Sequence, residues 1–378
     1  MGWETSDLRW QLTGCTLKIF IAHSWSDVSV NIQTKAVAQD LAAHHQVSFF
    51  SQARIGSPVL RLSNNLSVYE WPNKRPNTLR DFFFLCRHIL RNRPDVMIVH
   101  FGATNICMIA AWLLGVRHRV CWLHTLTGQY SGDVKDAALA GRLIRRRKYI
   151  YALATKVVVL NEYGRADAVG NYRIPASKVY KIYNGIFPPP VENIGPVNRV
   201  VRFIGRLDHS KGVDLLLEAI ALLQPGADDI LFEIAGHGAE EANLKQLAAT
   251  LGLQDRVFFR GYFAHYREAL RFVAGAYCLV VPSRLDNFPT VILEALASGV
   301  PVVAFAAGGI PDMVADEKDG LLVPAGDTAA LAAAIKRLLQ DVRLREHMAD
   351  NARQHFAAAF SMDQHVGAVN KFINQLSR

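Results

Sequence analysis

Asp286 and Glu294, with seven residues between them, are the acids in this chain placed to do chemistry. Asp286 lies in the polar loop Pro282-Ser283-Arg284-Leu285-Asp286-Asn287-Phe288-Pro289. Glu294 sits among Ile292, Leu293, Ala295, Leu296 and Ala297. A lone carboxylate is rarely buried without a partner. The pair reads as two ligands for a polar substrate at a crevice, or as a capping aspartate plus a glutamate at a helix edge. A second group is Gly205-Arg206-Leu207-Asp208-His209-Ser210-Lys211-Gly212. Amides at a helix start, with Arg206 and Lys211, make a cradle for a diphosphate; the alternative is an exposed charged loop. It is not a Walker loop, since G-x-x-x-x-G-K-[ST] is absent. Gly236-His237-Gly238 lets backbone approach a ligand, and Gly308-Gly309 offers amides to an anion. His124 ends an apolar run, where an imidazole contacts substrate as donor, acid or base, or else holds loop backbone. His100 poses the same question.

The elements that must position these groups are strands alternating with helices. Cys278 to Val281 reads as a strand, Pro289 as the first residue of a helix, Gly299 as its stop, and Val300 to Phe305 as the next strand. Loops outside the carboxyl ends of parallel strands are where open α/β sheets bind ligands. The chain opens with a strand at Leu17 to Ala22, a helix from about Ile32 to Ala43 and a strand at Gln46 to Ser51. The loop between the first two holds no glycine, which excludes a G-x-G-x-x-G dinucleotide grip. Residues 52–79 read as irregular, and Phe82-Phe83-Phe84 opens a helix that ends near Arg91. Three prolines, Pro188 to Pro190, and Gly195-Pro196 mark a linker. The spacing predicts about six strands on either side of it. The expected division is 1–186, linker 187–198, 199–360, and a terminal helix over 361–378.

The length of 378 residues suits two domains. Apolar residues make up 51% and charged residues 20%, a globular balance. The five cysteines show no short paired spacing, so neither a disulfide framework nor a metal framework is expected. Residues 1–190 carry 24 Lys and Arg against 11 Asp and Glu, while the remainder is net acidic. The basic half suits an anionic membrane surface or a phosphorylated lipid. Its densest run, Arg142 to Lys148, reads equally as a solvated helix face. No nucleic-acid-binding signature accompanies it, and no nucleic-acid partner is expected. Val96 to Val116 lacks Asp, Glu, Lys and Arg. It reads as a buried strand, a turn and a buried helix rather than a membrane span. No signal peptide is visible, so a cytoplasmic protein is expected, with peripheral contact at the inner face of the membrane.

Together, Tyr183-Asn184-Gly185-Ile186, Gly205 to Gly212, Gly236-His237-Gly238 and Pro282 to Gly299 with Pro301-Val302-Val303 resemble the retaining glycosyltransferases of family 4. The acids Asp286 and Glu294 match that family's spaced pair. The resemblance implies an α/β GT-B fold: two Rossmann-like, doubly wound domains facing a central cleft, and a C-terminal helix crossing back to the first. It implies a nucleoside-diphosphate sugar as donor, a lipid-linked or saccharide acceptor, and no metal or other cofactor. Arg206 and Lys211 would neutralise the diphosphate beside Gly205, and Glu294 would accept from the ribose hydroxyls. Asp286, with Asn287, Phe288, Pro289 and Thr290, would meet the transferred sugar. Gly236, His237, Arg260 and Tyr262 would edge the base. His124 would reach the reacting centre from the first domain. Two features depart from the pattern. Asp286 stands where the family often has glutamate, with Asn287-Phe288-Pro289 for Gly-Phe-Gly, and the first strand lacks a glycine-rich exit loop. A sugar-nucleotide epimerase or phosphorylase-like enzyme, or a non-catalytic partner of a membrane enzyme, would use the same fold.

Overall fold

The computed structural model describes residues 16–23, 29–51, 59–61, 63–73, 76–129, 137–188, 199–223 and 230–376. Residues 24–28 of the first exit loop and 189–198 of the expected linker lie outside that set.

Two sheets form. The first holds β1 (Lys18–His23), β2 (Gln46–Ser51), β3 (Val59–Arg61), β4 (Leu66–Glu70), β5 (Val96–His100), β6 (His118–Trp122), β7 (Lys156–Val159) and β8 (Val179–Lys181). Their order is β3-β4-β2-β1-β5-β6-β7-β8. All neighbours run parallel except β3 and β4. The second sheet holds β9 (Val200–Ile204), β10 (Leu231–Ala235), β11 (Val257–Gly261), β12 (Cys278–Val281), β13 (Val302–Phe305) and β14 (Gly320–Val323). Its order is β11-β10-β9-β12-β13-β14, parallel throughout. The apolar runs of the inner strands β5, β12 and β13 are buried on both faces, as parallel sheets require.

The expectation of about six strands holds for the second sheet and falls short for the first, which has eight. The two extra strands lie in the stretch read as irregular. They are short, and β3 is an antiparallel edge that contributes pairing rather than a long apolar run. Helix α1 spans Ser29–Leu41, and the helix after β4, α2 (Leu79–Asn92), starts three residues earlier than Phe82. Thr78 caps it and Asp81 closes the capping box. The window Val96 to Val116 resolves into β5, a short turn and the helix α3 (Thr104–Leu113). Among the described residues no helix is long and apolar enough to cross a membrane.

The last helix, Met362–Leu376, leaves the second sheet and packs on the first domain. Ile186 and Ser361 pair backbone to backbone. Ile186 N–H donates to the Phe360 carbonyl at 3.0 Å, and Met362 N–H donates to the Ile186 carbonyl at 3.0 Å. A Cβ at Gly185 would lie 2.6 Å from the Ser361 carbonyl oxygen, so only glycine allows the crossing to close. Phe372 packs on Tyr180, and Asn370 donates to Asp40 at 2.6 Å. One core cluster therefore runs through both domains, holding Ile19 and Val120 of the first, Leu293 of the second and Phe372 of the last helix.

His365 anchors this crossing. It is buried, and its ring Nδ1 lies 2.6 Å from the Tyr183 carbonyl, to which the N–H donates. Burial pushes its pKa down to about 4, against a smaller opposing effect of that bond. His100 is held well below its ordinary value by burial and by the neighbouring histidines. These rings are neutral when folded, whereas the unfolded chain protonates them near the ordinary 6.5. Their contribution is therefore complete above about pH 6.5 and is lost as pH falls toward 4. The melting temperature of the native chain should fall between pH 7 and pH 4.5. The His365→Gln variant should show a shallower fall. Equal slopes in calorimetric scans would remove His365 from the account.

Candidate active site

In each sheet the chain winds outward from a central strand, then crosses over and winds the other way. In the second sheet the reversal lies between β9 and β12, which are neighbours. The loops after these strands, 205–212 and 282–289, therefore flank a crevice of the kind that takes ligands. Backbone packs on backbone there. Gly236 has φ of +143°, and a Cβ on it would overlap the Gly205 carbonyl oxygen. Gly308, at φ +59°, presses in the same way on the Asp286 carbonyl. The Gly309 N–H donates to that carbonyl at 2.8 Å, so this amide is already engaged by the protein.

Asp286 is buried and forms an ion pair with Lys211 across the crevice. The two groups that sequence reasoning gave to separate parts of a ligand are thus joined to each other. Arg206 points outward and pairs with Asp208 at 2.9 Å. Pro289 precedes the helix Thr290–Ala297 as its N-cap instead of opening it. Its ψ of 109° is extended, and helical dihedrals begin at Thr290. Glu294, 7% exposed, accepts a hydrogen bond from the Tyr266 hydroxyl at 3.0 Å. Burial pushes its pKa up to about 7, and the Tyr266 bond only partly offsets this. Tyr266 opens the helix Tyr266–Ala274, which packs on the helix bearing Glu294.

The remaining residues expected to edge a base lie at the outer strands. His237 is exposed, with Nδ1 2.9 Å from Glu241. Arg260 is drawn along the sheet to Glu233, with its Nε 2.8 Å from that carboxylate. Arg202 binds the same carboxylate at 2.7 Å. Tyr262 is 77% exposed and stands apart from the cluster around Lys211 and Glu294.

The first sheet reverses between β1 and β5, whose last residues, His23 and His100, are register partners. His124 follows β6, two residues beyond its end. His100 Nδ1 and His124 Nε2 are 3.0 Å apart and share one proton between them. The His124 ring stacks on Phe101, with centroids 3.9 Å apart and planes at 8°. Phe101 has φ of +50°, a strained value for a bulky residue. His124 keeps part of its ring at the surface, yet burial and neighbouring histidines push its pKa down to about 3. It serves as a neutral donor or acceptor. Behind it, Gln33, Thr34, His100, Asn184 and His365 line a cavity of about 20 Å³.

Asn287 joins the loop after β12 to the exits of β6 and β7 in the first domain. Its side-chain amide donates to the His124 carbonyl at 2.8 Å. Asn161, two residues beyond β7, donates to both the backbone carbonyl and the side-chain oxygen of Asn287, the latter at 2.9 Å. Phe288 stacks on Tyr183, with ring centroids 6.0 Å apart. A second link runs through Asp312, which accepts from the Glu162 N–H at 3.0 Å and the Tyr183 hydroxyl at 3.1 Å, and pairs with Lys181 at 3.3 Å. Sequence reasoning passed over Asn161, Tyr266, Asp312 and His365. Asn161 carries a signal, since it lies two residues beyond a parallel strand, as His124 does. The others meet their partners only through packing between distant segments. Among the described residues no group of three or more His, Cys, Asp or Glu is arranged to hold a metal ion.

Comparison with known proteins agrees with this arrangement. The family profile "Glycosyltransferase Family 4" matches residues 30–188, and "Glycosyl transferases group 1" matches residues 189–355. An alpha-1,4-N-acetyl-D-galactosaminyltransferase of Campylobacter jejuni, named for an undecaprenol-PP-linked acceptor, is 28% identical over 331 residues, covering 84% of this chain and 87% of the relative. The alpha-D-kanosaminyltransferase of Streptomyces kanamyceticus is 36% identical over 163 residues, spanning only 42% of that relative's length. The HepE protein of Anabaena, solved with UDP-glucose, shares the fold at a TM-score of 0.74 with 18% identity, over 95% of this chain and 100% of that one. Two profiles matched in order along two facing doubly wound domains settle the kinship: the chain belongs to the group 1, family 4 glycosyltransferases of the GT-B fold.

Proposed function

We propose that the chain moves a sugar from a nucleoside-diphosphate sugar to an acceptor hydroxyl with retention of configuration, in the making of a surface polysaccharide or glycolipid. The observation that carries this reading is the Lys211–Asp286 pair at the reversal of the second sheet and His124 at the exit of β6 in the first, bridged by Asn287. The Anabaena neighbour solved with UDP-glucose makes a uridine donor the first to test. The Campylobacter relative's name favours a lipid-linked acceptor.

In this reading the bond between the anomeric carbon and the diphosphate oxygen breaks, and negative charge grows on the leaving group. Lys211 meets that charge directly, and Arg206 does so by leaving Asp208. Fixed cations in a water-poor cleft are worth far more than in solution. Asp286 holds Lys211 in place and faces the sugar together with Asn287, Phe288, Pro289 and Thr290. Glu294 accepts from the ribose hydroxyls, which favours its carboxylate form. Gly236, His237, Arg260 and Tyr262 border the base. His124, neutral and braced by His100, donates to a sugar hydroxyl. The acceptor oxygen bonds to the anomeric carbon from the face that the diphosphate leaves, and its proton passes to the departing phosphate oxygen. Lys211, held by Asp286, and Arg206 stand in for a divalent ion, so transfer should persist in a chelator.

Membrane contact belongs to the same proposal. Exposed Arg142, Arg145 and Arg146, with exposed Tyr149, lie on the helix Ala137–Ala152 of the basic half. Such a surface attracts anionic lipid.

Lys211→Ala should lower turnover of the uridine-diphosphate sugar by about 100-fold or more, and Arg206→Ala should lower it in the same direction. Undiminished product formation by either variant would sink the charge-neutralising role. For the membrane part, the protein should sediment with phosphatidylglycerol vesicles at low salt and detach as salt rises. Indifference to those vesicles would contradict it.

A further inference from the structure

An open groove of about 590 Å³ lies on the first domain, away from the donor residues. One wall is α2, which presents Arg80, Phe83, Phe84 and Arg87. The other is the end of β4 and its exit, Glu70, Trp71 and Pro72. The four helix residues stand at positions i, i+3, i+4 and i+7, a single stripe. Two guanidinium groups thus bracket two aromatic rings, with a separation along the helix of about 10 Å. The volume is in the range that holds a small-molecule ligand.

Several features of this stripe are hard to explain as support for the fold. Among the described residues neither Arg80 nor Arg87 has an ion-pair partner or a hydrogen-bond acceptor. Arg80 sits in the first turn of α2, where a cation opposes the helix dipole. Phe83 is 66% exposed although it neighbours a well-packed core. The rim is nevertheless firmly built. Asp81 is fully buried and accepts from the Asn73 N–H at 3.2 Å, the Asn77 N–H at 3.2 Å and the Thr78 N–H at 3.0 Å. Burial alone would raise its pKa, but bonds from Thr78, Asn73 and Asn77 outweigh this and hold it below the ordinary carboxylate value. The groove floor also leads to the cleft. The Trp71 indole N–H donates to the His23 carbonyl at 3.0 Å. His23 is the register partner of His100, which in turn meets His124.

We infer that this groove is an acceptor subsite for an organophosphate. Arg80 and Arg87 pair with phosphate oxygens, as guanidinium forks do. Phe83 and Phe84 cover the apolar or CH-rich part of the same molecule. Glu70 accepts from its hydroxyls. A ligand held there lies over Trp71, which is hydrogen-bonded to His23 beside the His100–His124 pair. The inference rests on the transferase reading for its direction, and the groove's chemistry stands independently of it. A lipid phosphate and a soluble sugar phosphate both present this chemistry.

The test is calorimetric titration of the full chain with dodecyl phosphate below its micellar concentration, glucose 1-phosphate, and uncharged dodecyl maltoside as control. The native chain should bind at least one phosphate, and bind it more tightly than the maltoside. The Arg80→Gln/Arg87→Gln double variant should lose tenfold or more in that affinity while binding UDP-glucose as the native chain does. Preference for dodecyl phosphate assigns the subsite to lipid phosphates, and preference for glucose 1-phosphate assigns it to soluble ones. Phosphate binding unchanged in the double variant, or a native chain that binds the maltoside as well as either phosphate, would overturn the inference. A native chain that binds phosphate through these arginines but ignores UDP-glucose would count against the uridine donor and leave the groove standing. Arg87→Lys, which keeps the charge and loses the fork, should fall between native and double variant.

Discussion

Asn287 has few polar atoms, and both its amide nitrogen and its two oxygens are engaged by the other domain. The nitrogen reaches the His124 carbonyl, and both oxygens accept from Asn161. A buried amide of this kind costs free energy when one partner is missing, about 1–3 kcal/mol for each group left unpaired. The network is therefore close to all-or-none. It holds the 286–289 loop against the first domain, and that loop carries Asp286 on one side and Phe288 on the other. The position of Asp286, the stacking of Phe288 on Tyr183, and the contact of the 286–289 loop with the exits of β6 and β7 all depend on this join.

Charge is arranged around the same join with unusual restraint. Asp286 and Lys211 are largely buried and answer each other. A buried pair gains little net stability but becomes strongly destabilising when one member is removed. Its retention here fits a pair kept for positioning. Glu294 is the opposite case. Its one strong partner is the neutral Tyr266 hydroxyl, and burial leaves its pKa near neutrality at about 7. Such a carboxylate gains from any hydroxyl donors brought to it. The first domain contributes histidines held neutral by burial, so no fixed charge from His124 opposes or attracts the sugar. Lys211 and Arg206 thus lie on the second domain, and uncharged histidines lie on the first.

Much of this could be read from the sequence, for a physical reason. Parallel strands place their exits on one edge, so polar residues that follow apolar runs fall at the crevice wherever the chain later packs. Arg206, Lys211, Asp286 and His124 lie in loops that follow apolar strands, and Asn161 obeys the same rule. The acid spacing also survives because Asp286 and Glu294 belong to one loop and helix. What could not be read comes from packing. Tyr266 meets Glu294 because two helices lie side by side, and His365 meets Tyr183 because the last helix crosses domains. The mutual pairing of Lys211 and Asp286 depends on the distance between two loops, which residue spacing does not set. Short strands such as Val59–Arg61 leave no periodic trace, and so the first sheet was undercounted.

The central claim is that the loop bearing Asp286 works only when the first domain holds it. Asn161 tests this most directly, because it belongs to the first domain and its bonds run to Asn287 and not to Lys211 or Arg206. The measurement is steady-state transfer by Asn161→Ala beside the native chain, with the melting temperature of both recorded. The account predicts a fall in kcat/KM of tenfold or more in a variant that remains folded. A folded variant with native kcat/KM would contradict it.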